Sequence, residues 1–203
     1  SGGFGDVYEA RDREHGTHVA LKALRSNDPE WIYRFKREFR VAADLAHPNI
    51  VRLFELLVED ERWYLTMELL EGMNLREYVA RAPERLRACF AQLALGLSEL
   101  HRAHCLHRDL KPSNVIVEPS GRVVLLDFGL ALDKRTTKHS AHGGTPPYMA
   151  PELGLGQRPS ASSDWYAFGV MLYEALAGTL PFSGGEIQML QQKLAPPPPA
   201  PTD

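Results

Sequence analysis

At Glu71-Gly72 the chain changes character, and two different architectures must sit on either side of that point. Before it, "FGDVYEARD" and "THVALKALR" alternate apolar and polar residues about a turn at His15-Gly16, the pattern of a β-hairpin. "IVRLFELLVED" and "RWYLTMELL" repeat the pattern about Asp60-Glu61. Between the two pairs, Pro29 to Ala46 runs at helical period, with Phe35, Glu38, Ala42 and Leu45 on one stripe and His47-Pro48-Asn49 as its stop. After Gly72 the periodicity is helical in "NLREYVARA", "RLRACFAQLALGLSELHRA" and "SSDWYAFGVMLYEALAG", interrupted by the β-like runs "NVIVE" and "RVVLLDFG" about a Pro-Ser-Gly turn. The expected class is α+β in two lobes: residues 1–70 as a small antiparallel β-sheet lobe with one helix, and residues 71–203 as a larger, mainly helical lobe. With 203 residues and 44% apolar side chains, the chain has enough to bury for both. Asp133 to Gly144 has little to bury and reads as a mobile loop, while Pro196 to Pro199 favours polyproline II geometry and resembles a linker.

Charge narrows the partners. Twenty-three Lys and Arg against 26 Asp and Glu give a formal charge of -3, which supplies no electrostatic footprint for nucleic acid or an anionic membrane. Any anion must be bound locally. No apolar run approaches the roughly 18 residues of a membrane span and no signal-peptide pattern opens the chain, so a cytoplasmic location with no direct membrane contact from this segment is expected. Cys89 and Cys105 both lie in apolar surroundings, where free buried thiols are expected.

The chemistry-bearing residues admit two readings. "HRAHCLHRDLKPSN" places His101, His104 and His107 three apart with Cys105 among them, which reads as a metal site or as a catalytic loop built on Asp109 and Asn114. "SGGFGDV" is a weak signal alone, yet Gly2 and Gly5 would let backbone N–H groups approach phosphate oxygens, with Phe4 at the tip excluding water. Lys22 in "VALK" points into a core from a strand and needs an anion or carboxylate, for which Glu38 is the candidate. In "LLDFGLA", Asp127 ends an apolar strand and suits a Mg²⁺ ligand, with Asn114 as a second.

Taken in order, "SGGFGDV", "VALK", Glu38, "HRDLKPSN", "DFG" and "GTPPYMAPE", with "SDWYAFG" after them, resemble the signature series of eukaryotic-type (Hanks-type) serine/threonine protein kinases. The resemblance implies a two-lobed protein kinase-like fold that uses ATP and Mg²⁺. It implies Gly2, Gly3, Phe4 and Gly5 over the phosphates, Lys22 on the α and β phosphates and fixed by Glu38, and Asn114 and Asp127 on Mg²⁺. Asp109 becomes the base for the acceptor hydroxyl, Lys111 steadies the γ-phosphate and Thr145 helps seat the acceptor. Val7, Ala20 and Ile116 would sandwich adenine, with Met67 behind it and Glu68 and Leu70 binding it through their backbone. Under this reading the histidines do not converge on a metal: His107 shapes the loop and His101 ends a helix below it. The proline run becomes a loop inside the helical lobe, and Glu152 of "APE" is expected to pair with an arginine beyond Asp203.

"DLKPSN" resembles the serine/threonine rather than the tyrosine branch, and "GTPPYMAPE" resembles bacterial members. The partners implied are proteins with Ser/Thr acceptors. Arg108 beside Asp109 implies activation by phosphate on the following loop, where Thr136, Thr137 and Ser140 are available, and hence self-association for autophosphorylation. The glycine loop lacks its first Gly and the chain stops short of the family's last helices, so truncation at both ends is expected. The alternative is a catalytically impaired nucleotide-binding fragment or a pseudokinase-like scaffold.

Overall fold

The computed structural model describes residues 6–24, 28–128, 145–196 and 200. Strands β1 (Val7–Arg11) and β2 (His18–Ala23) pair antiparallel, as do β3 (Leu53–Glu59) and β4 (Arg62–Glu68), and the sheet runs β1-β2-β4-β3. Asp60 and Glu61 link β3 to β4 with both φ angles positive, 49° and 60°, the twist that a two-residue hairpin turn requires. Helix α1 (Pro29–Ala43) starts where Asp28 accepts a hydrogen bond from Trp31 N at 2.8 Å and Pro29 takes the first helical position. It buries Ile32, Phe35 and Ala42, and Trp31 stacks on Phe35 with ring centroids 5.1 Å apart.

α1 ends three residues before the expected Ala46. Pro48 disfavours helical backbone at His47, and the chain must straighten to reach the other lobe. There Val51 N donates to Leu125 O and Leu125 N donates to Asn49 O, both at 3.0 Å. Asn49 is buried and spends its amide on Val123 O and Gln92 Oε1, at 2.7 and 3.0 Å.

The larger lobe contains β5 (Met73–Asn74), α2 (Leu75–Arg81), α3 (Leu86–Arg102), β6 (Val115–Val117), β7 (Val123–Leu125), α4 (Pro151–Gly154), α5 (Ala161–Ala177) and α6 (Glu186–Leu194). Its three strands form a second sheet, β5-β6-β7. α3 is the spine of this lobe: Leu93, Leu97 and Leu100 are fully buried, each contributing about 2 kcal/mol of transfer free energy. Gly96 lets α3 approach the Asn49 carbonyl, since a Cβ there would lie 2.8 Å from that oxygen. α5 begins at a Ser160–Ser163 capping box and ends at Gly178 in left-handed geometry.

β5, α4 and α6 were not among the expected elements; "EIQMLQQKL" carries the helical spacing that marks α6, with Met189 buried. Cys89 is buried and Cys105 half-buried, both are free, and burial pushes both thiols up. No helix among the described residues is long and apolar enough to cross a membrane. The expected mobile loop from Asp133 to Gly144 and Pro197 to Pro199 lie outside the described residues.

Candidate active site

Asp164, in the first turn of α5, organises the loop that follows α3. Its Oδ2 accepts from His107 N at 2.8 Å and lies 2.9 Å from His101 Nε2, while its Oδ1 accepts from Arg108 N at 2.9 Å. Burial pushes the Asp164 carboxyl up, but His101 and the backbone N–H groups of Arg108 and His107 outweigh it and hold the group below the ordinary aspartate value. Arg108 is thereby held at φ 68°, a conformation costing about 1 kcal/mol or more for a residue with a side chain. The next residue, Asp109, is 5% exposed, and its carboxylate meets Lys111, Thr145 and, at 3.4 Å, Asn114 Nδ2. Lys111 Nζ donates to Asp109 Oδ2 at 2.7 Å and to Thr145 Oγ1 at 3.1 Å, and Thr145 Oγ1 donates to Asp109 Oδ1 at 3.1 Å. A hydroxyl therefore fits against this carboxylate with an ammonium beside it, the geometry needed to accept a hydroxyl proton while a negative group is steadied nearby.

Lys22, on β2, is 3% exposed and donates to Asp127 Oδ1 at 2.5 Å. The expectation that Glu38 fixes Lys22 does not describe this structure. Glu38 Oε1 instead accepts from Arg108 Nη1 at 2.9 Å, and its buried Oε2 has no hydrogen-bond partner among the described residues. The reason is positional: the guanidinium reaches the inner face of α1 from the large lobe, while Asp127 occupies the lysine. Asn114 donates from Nδ2 to Asp109 O at 2.8 Å, so its Oδ1 is the atom left for a cation. Leu126 N donates to Asn114 O at 2.9 Å, bringing Asp127 beside it. A carboxylate and an amide oxygen form a hard, all-oxygen donor pair that fits Mg²⁺ completed by phosphate and water oxygens.

The adenine candidates are distributed over both lobes. Ala20 and Met67 are register partners across β2 and β4 and are both buried. Val7 lies opposite Lys22 on β1 and is exposed, while Leu70 and Ile116 are half-buried. Glu68 uses its backbone N–H on Arg52 O at 2.9 Å, so it cannot donate that proton to a ring. Gly2, Gly3, Phe4 and Gly5 lie outside the described residues, as do Gly129, Thr136, Thr137 and Ser140. Of the three histidines, His101 serves Asp164 and His107 is fully buried; burial pushes the His107 ring down and keeps it neutral.

A model of the protein kinase domain matches residues 1–196. The chain belongs to the protein kinase family. This kinase domain is 37% identical over 193 residues to the serine/threonine-protein kinase PrkC of Bacillus subtilis, covering 90% of the chain and 30% of that protein. Against the serine/threonine-protein kinase PknA of Mycobacterium tuberculosis it is 38% identical over 221 residues, covering the whole chain and 51% of the relative. Against the serine/threonine-protein kinase PkaA of Streptomyces coelicolor it is 35% identical, covering 99% of the chain and 42% of the relative. The kinase domain thus spans 30% to 51% of the length of these bacterial relatives.

Several contacts of the kinase domain escaped the sequence. Arg122 forks onto Glu68, Nη1 to Oε1 at 2.5 Å and Nη2 to Oε2 at 3.1 Å, and donates from Nε to Pro48 O at 2.7 Å. Burial pushes the Glu68 carboxyl up, but Arg122 and the Arg52 N–H hold it below its ordinary value. Tyr148 donates to the buried Glu174 Oε2 at 2.7 Å, and Arg76 lies 3.3 Å from the other oxygen. Glu152 accepts from Ser163 Oγ at 2.7 Å. Charged residues inside otherwise apolar helices, Asp164 and Glu174, were the available signal.

Proposed function

We propose that this domain transfers the γ-phosphate of ATP to serine or threonine hydroxyls of protein substrates. The observation that carries the reading is the closed set of contacts among Asp109, Lys111 and Thr145. In the proposed mechanism Asp109 accepts the acceptor's hydroxyl proton, and Lys111 offsets charge on the group in flight. Lys22 holds the α and β phosphates, and Ala20, Val7, Met67, Leu70 and Ile116 close around adenine, with the glycine segment at residues 2–5 above the phosphates. Asn114 and Asp127 would hold Mg²⁺, which supplies charge neutralisation at the phosphate oxygens. Glu38 serves Lys22 once Arg108 releases it. Phosphate on Thr136 or Thr137, added by a second copy of the chain, is the proposed releasing event, and an ATP-rich cytoplasm is the proposed setting.

A second reading, a nucleotide-binding scaffold with impaired turnover, draws support from the engagement of Lys22 by Asp127 and of Glu38 by Arg108. One experiment separates the two: transfer of labelled γ-phosphate to a generic protein substrate, beside a thermal melt with ATP and Mg²⁺. Transfer that is lost in Asp109→Asn is the expected outcome. Stabilisation by ATP·Mg²⁺ without transfer would favour the scaffold.

A further inference from the structure

Lys193 lies in the last turn of α6 and is not among the residues assigned above. Its ammonium donates to Pro146 O at 2.6 Å and Met149 O at 2.7 Å, and it lies 5.8 Å from the ring centroids of both Tyr166 and Phe182. Among the described residues carbonyl dipoles and ring faces hold this charge and no carboxylate pairs with it, and burial pushes its pKa down to about 8. An ammonium kept in such surroundings carries a desolvation cost that an apolar side chain would avoid, so its placement calls for a reason.

The two carbonyls belong to one turn. Tyr148 N and Met149 N both donate to Thr145 O, at 3.0 and 3.2 Å, so residues 145–149 form a single tight unit. Lys193 grips that unit just after its first residue and at its last. Its first residue is Thr145, whose hydroxyl bridges Asp109 and Lys111. Without the ammonium, both carbonyls lose their charged donor, and the hydrogen bonds left to the turn among the described residues are its own backbone bonds, the Tyr148 hydroxyl on Glu174 and the Thr145 hydroxyl with Asp109 and Lys111.

We propose that Lys193 is a positioning residue for the protein acceptor, pinning the Thr145–Met149 turn so that Thr145 stays against Asp109 and Lys111. The proposal rests on the kinase reading for its substrate and on geometry alone for its tether. Lys193 and the turn both belong to the large lobe, whereas Ala20, Lys22 and Met67 lie on the small-lobe sheet, so acceptor and nucleotide should respond differently.

Lys193→Met keeps the aliphatic stem and removes the ammonium, while Lys193→Arg keeps two donors. Two measurements on the full chain test the tether and its consequence. In Lys193→Met, amide hydrogen exchange at Tyr148 and Met149 should quicken about tenfold or more. Transfer to a serine-containing peptide should fall about ten- to hundredfold in kcat/KM for peptide, with KM for ATP changed less than about twofold. Lys193→Arg should restore both. Unchanged exchange at Tyr148 and Met149 would overturn the tether, whatever the activity. Faster exchange with unaltered peptide kcat/KM, or an equal rise in KM for ATP, would overturn the acceptor role. A parent chain that transfers no phosphate would sink the kinase reading instead, and the exchange arm would still decide whether the tether exists.

Discussion

Asp164→Asn is the most informative single substitution, because it keeps shape and volume and removes only charge and one acceptor. Asp164 Oδ2 takes two donors, His101 Nε2 and His107 N, and Oδ1 takes one, Arg108 N. An asparagine keeps one oxygen. Its least costly orientation leaves that oxygen with His101 and His107 and turns the NH₂ group towards the Arg108 N–H. One charge-assisted bond is lost, about 1.5–3 kcal/mol, and two others weaken from charged to neutral, roughly 0.5–1 kcal/mol each. Relief from burying a neutral amide in place of a carboxylate offsets part of this, so the expected net destabilisation is about 2–3 kcal/mol. Arg108 sits at φ 68° and depends on that bond, so the residue after it, Asp109, should shift, and a displacement of order 1 Å costs about a hundredfold in transfer.

The pH dependence follows with its sign. The folded Asp164 carboxyl titrates below its unfolded value, so its contribution is fully present above about pH 4 and is lost as pH falls through the folded pKa. Denaturant melts of parent and variant should therefore differ by the full amount at neutral pH and converge in acid. A variant that melts with the parent at pH 7 and transfers phosphate within about twofold of it would refute the account of how this loop is held.

Other expectations are direct. Lys22→Met should abolish transfer and lower the melt, since the stem fills the same buried space but leaves the Asp127 carboxylate without this ammonium; retained turnover would remove Lys22 from the site. Asp127→Asn should weaken the Mg²⁺ dependence of ATP binding, because a neutral amide is a poorer ligand for a hard cation; a parental Mg²⁺ dependence in isothermal titration would withdraw the assignment. His107 is buried neutral with its pKa lowered first by burial, so below about pH 6.5 the unfolded chain binds a proton that the folded ring refuses, and stability falls with pH there. His107→Phe should flatten that part of the stability–pH slope, and an unchanged slope would assign it to other groups.

The legible parts of the fold were those governed by local pattern. Both hairpins, α1, α2, α3 and α5 follow from alternation or helical period together with caps such as Asp28, Asn74 and Ser160. β5 was illegible because two residues carry no period, and α4 because four residues barely make a turn. At the site, the motifs named the chemistry but not the pairings. Asp109, Lys111 and Asn114 lie on one short connection between α3 and β6 that the chain itself constrains, and they meet, with Thr145 joining them from further along the sequence. Lys22 and Glu38 sit on separate elements whose distance depends on the roll of α1 and the closure of the lobes, which no local pattern records. Arg122 and Lys193 were invisible for a related reason: their partners include the main-chain oxygens of Pro48, Pro146 and Met149, and a carbonyl has no sequence signature.

Among the described residues three ion pairs join the lobes: Lys22–Asp127, Glu38–Arg108 and Glu68–Arg122. All are partly buried, so each contributes modestly as a pair but leaves a costly charge if one member is removed. They differ in what could replace them. In the proposed reaction phosphate oxygens and a cation would compete for Lys22 and Asp127, and phosphate on Thr136 or Thr137 would compete with Glu38 for Arg108, whereas nothing in it claims Arg122. The first two pairs are thus exchangeable and the third is a fixed hinge, which predicts different thermodynamic coupling. A double-mutant cycle on Glu38 and Arg108 should give a coupling energy of about 1–2 kcal/mol in the unphosphorylated chain that shrinks when Thr136 and Thr137 are phosphorylated. The same cycle on Glu68 and Arg122 should be indifferent to that phosphate. Equal loss of coupling in both cycles would mean that the lobes separate as rigid bodies, and the exchange of partners at Arg108 would be the wrong description.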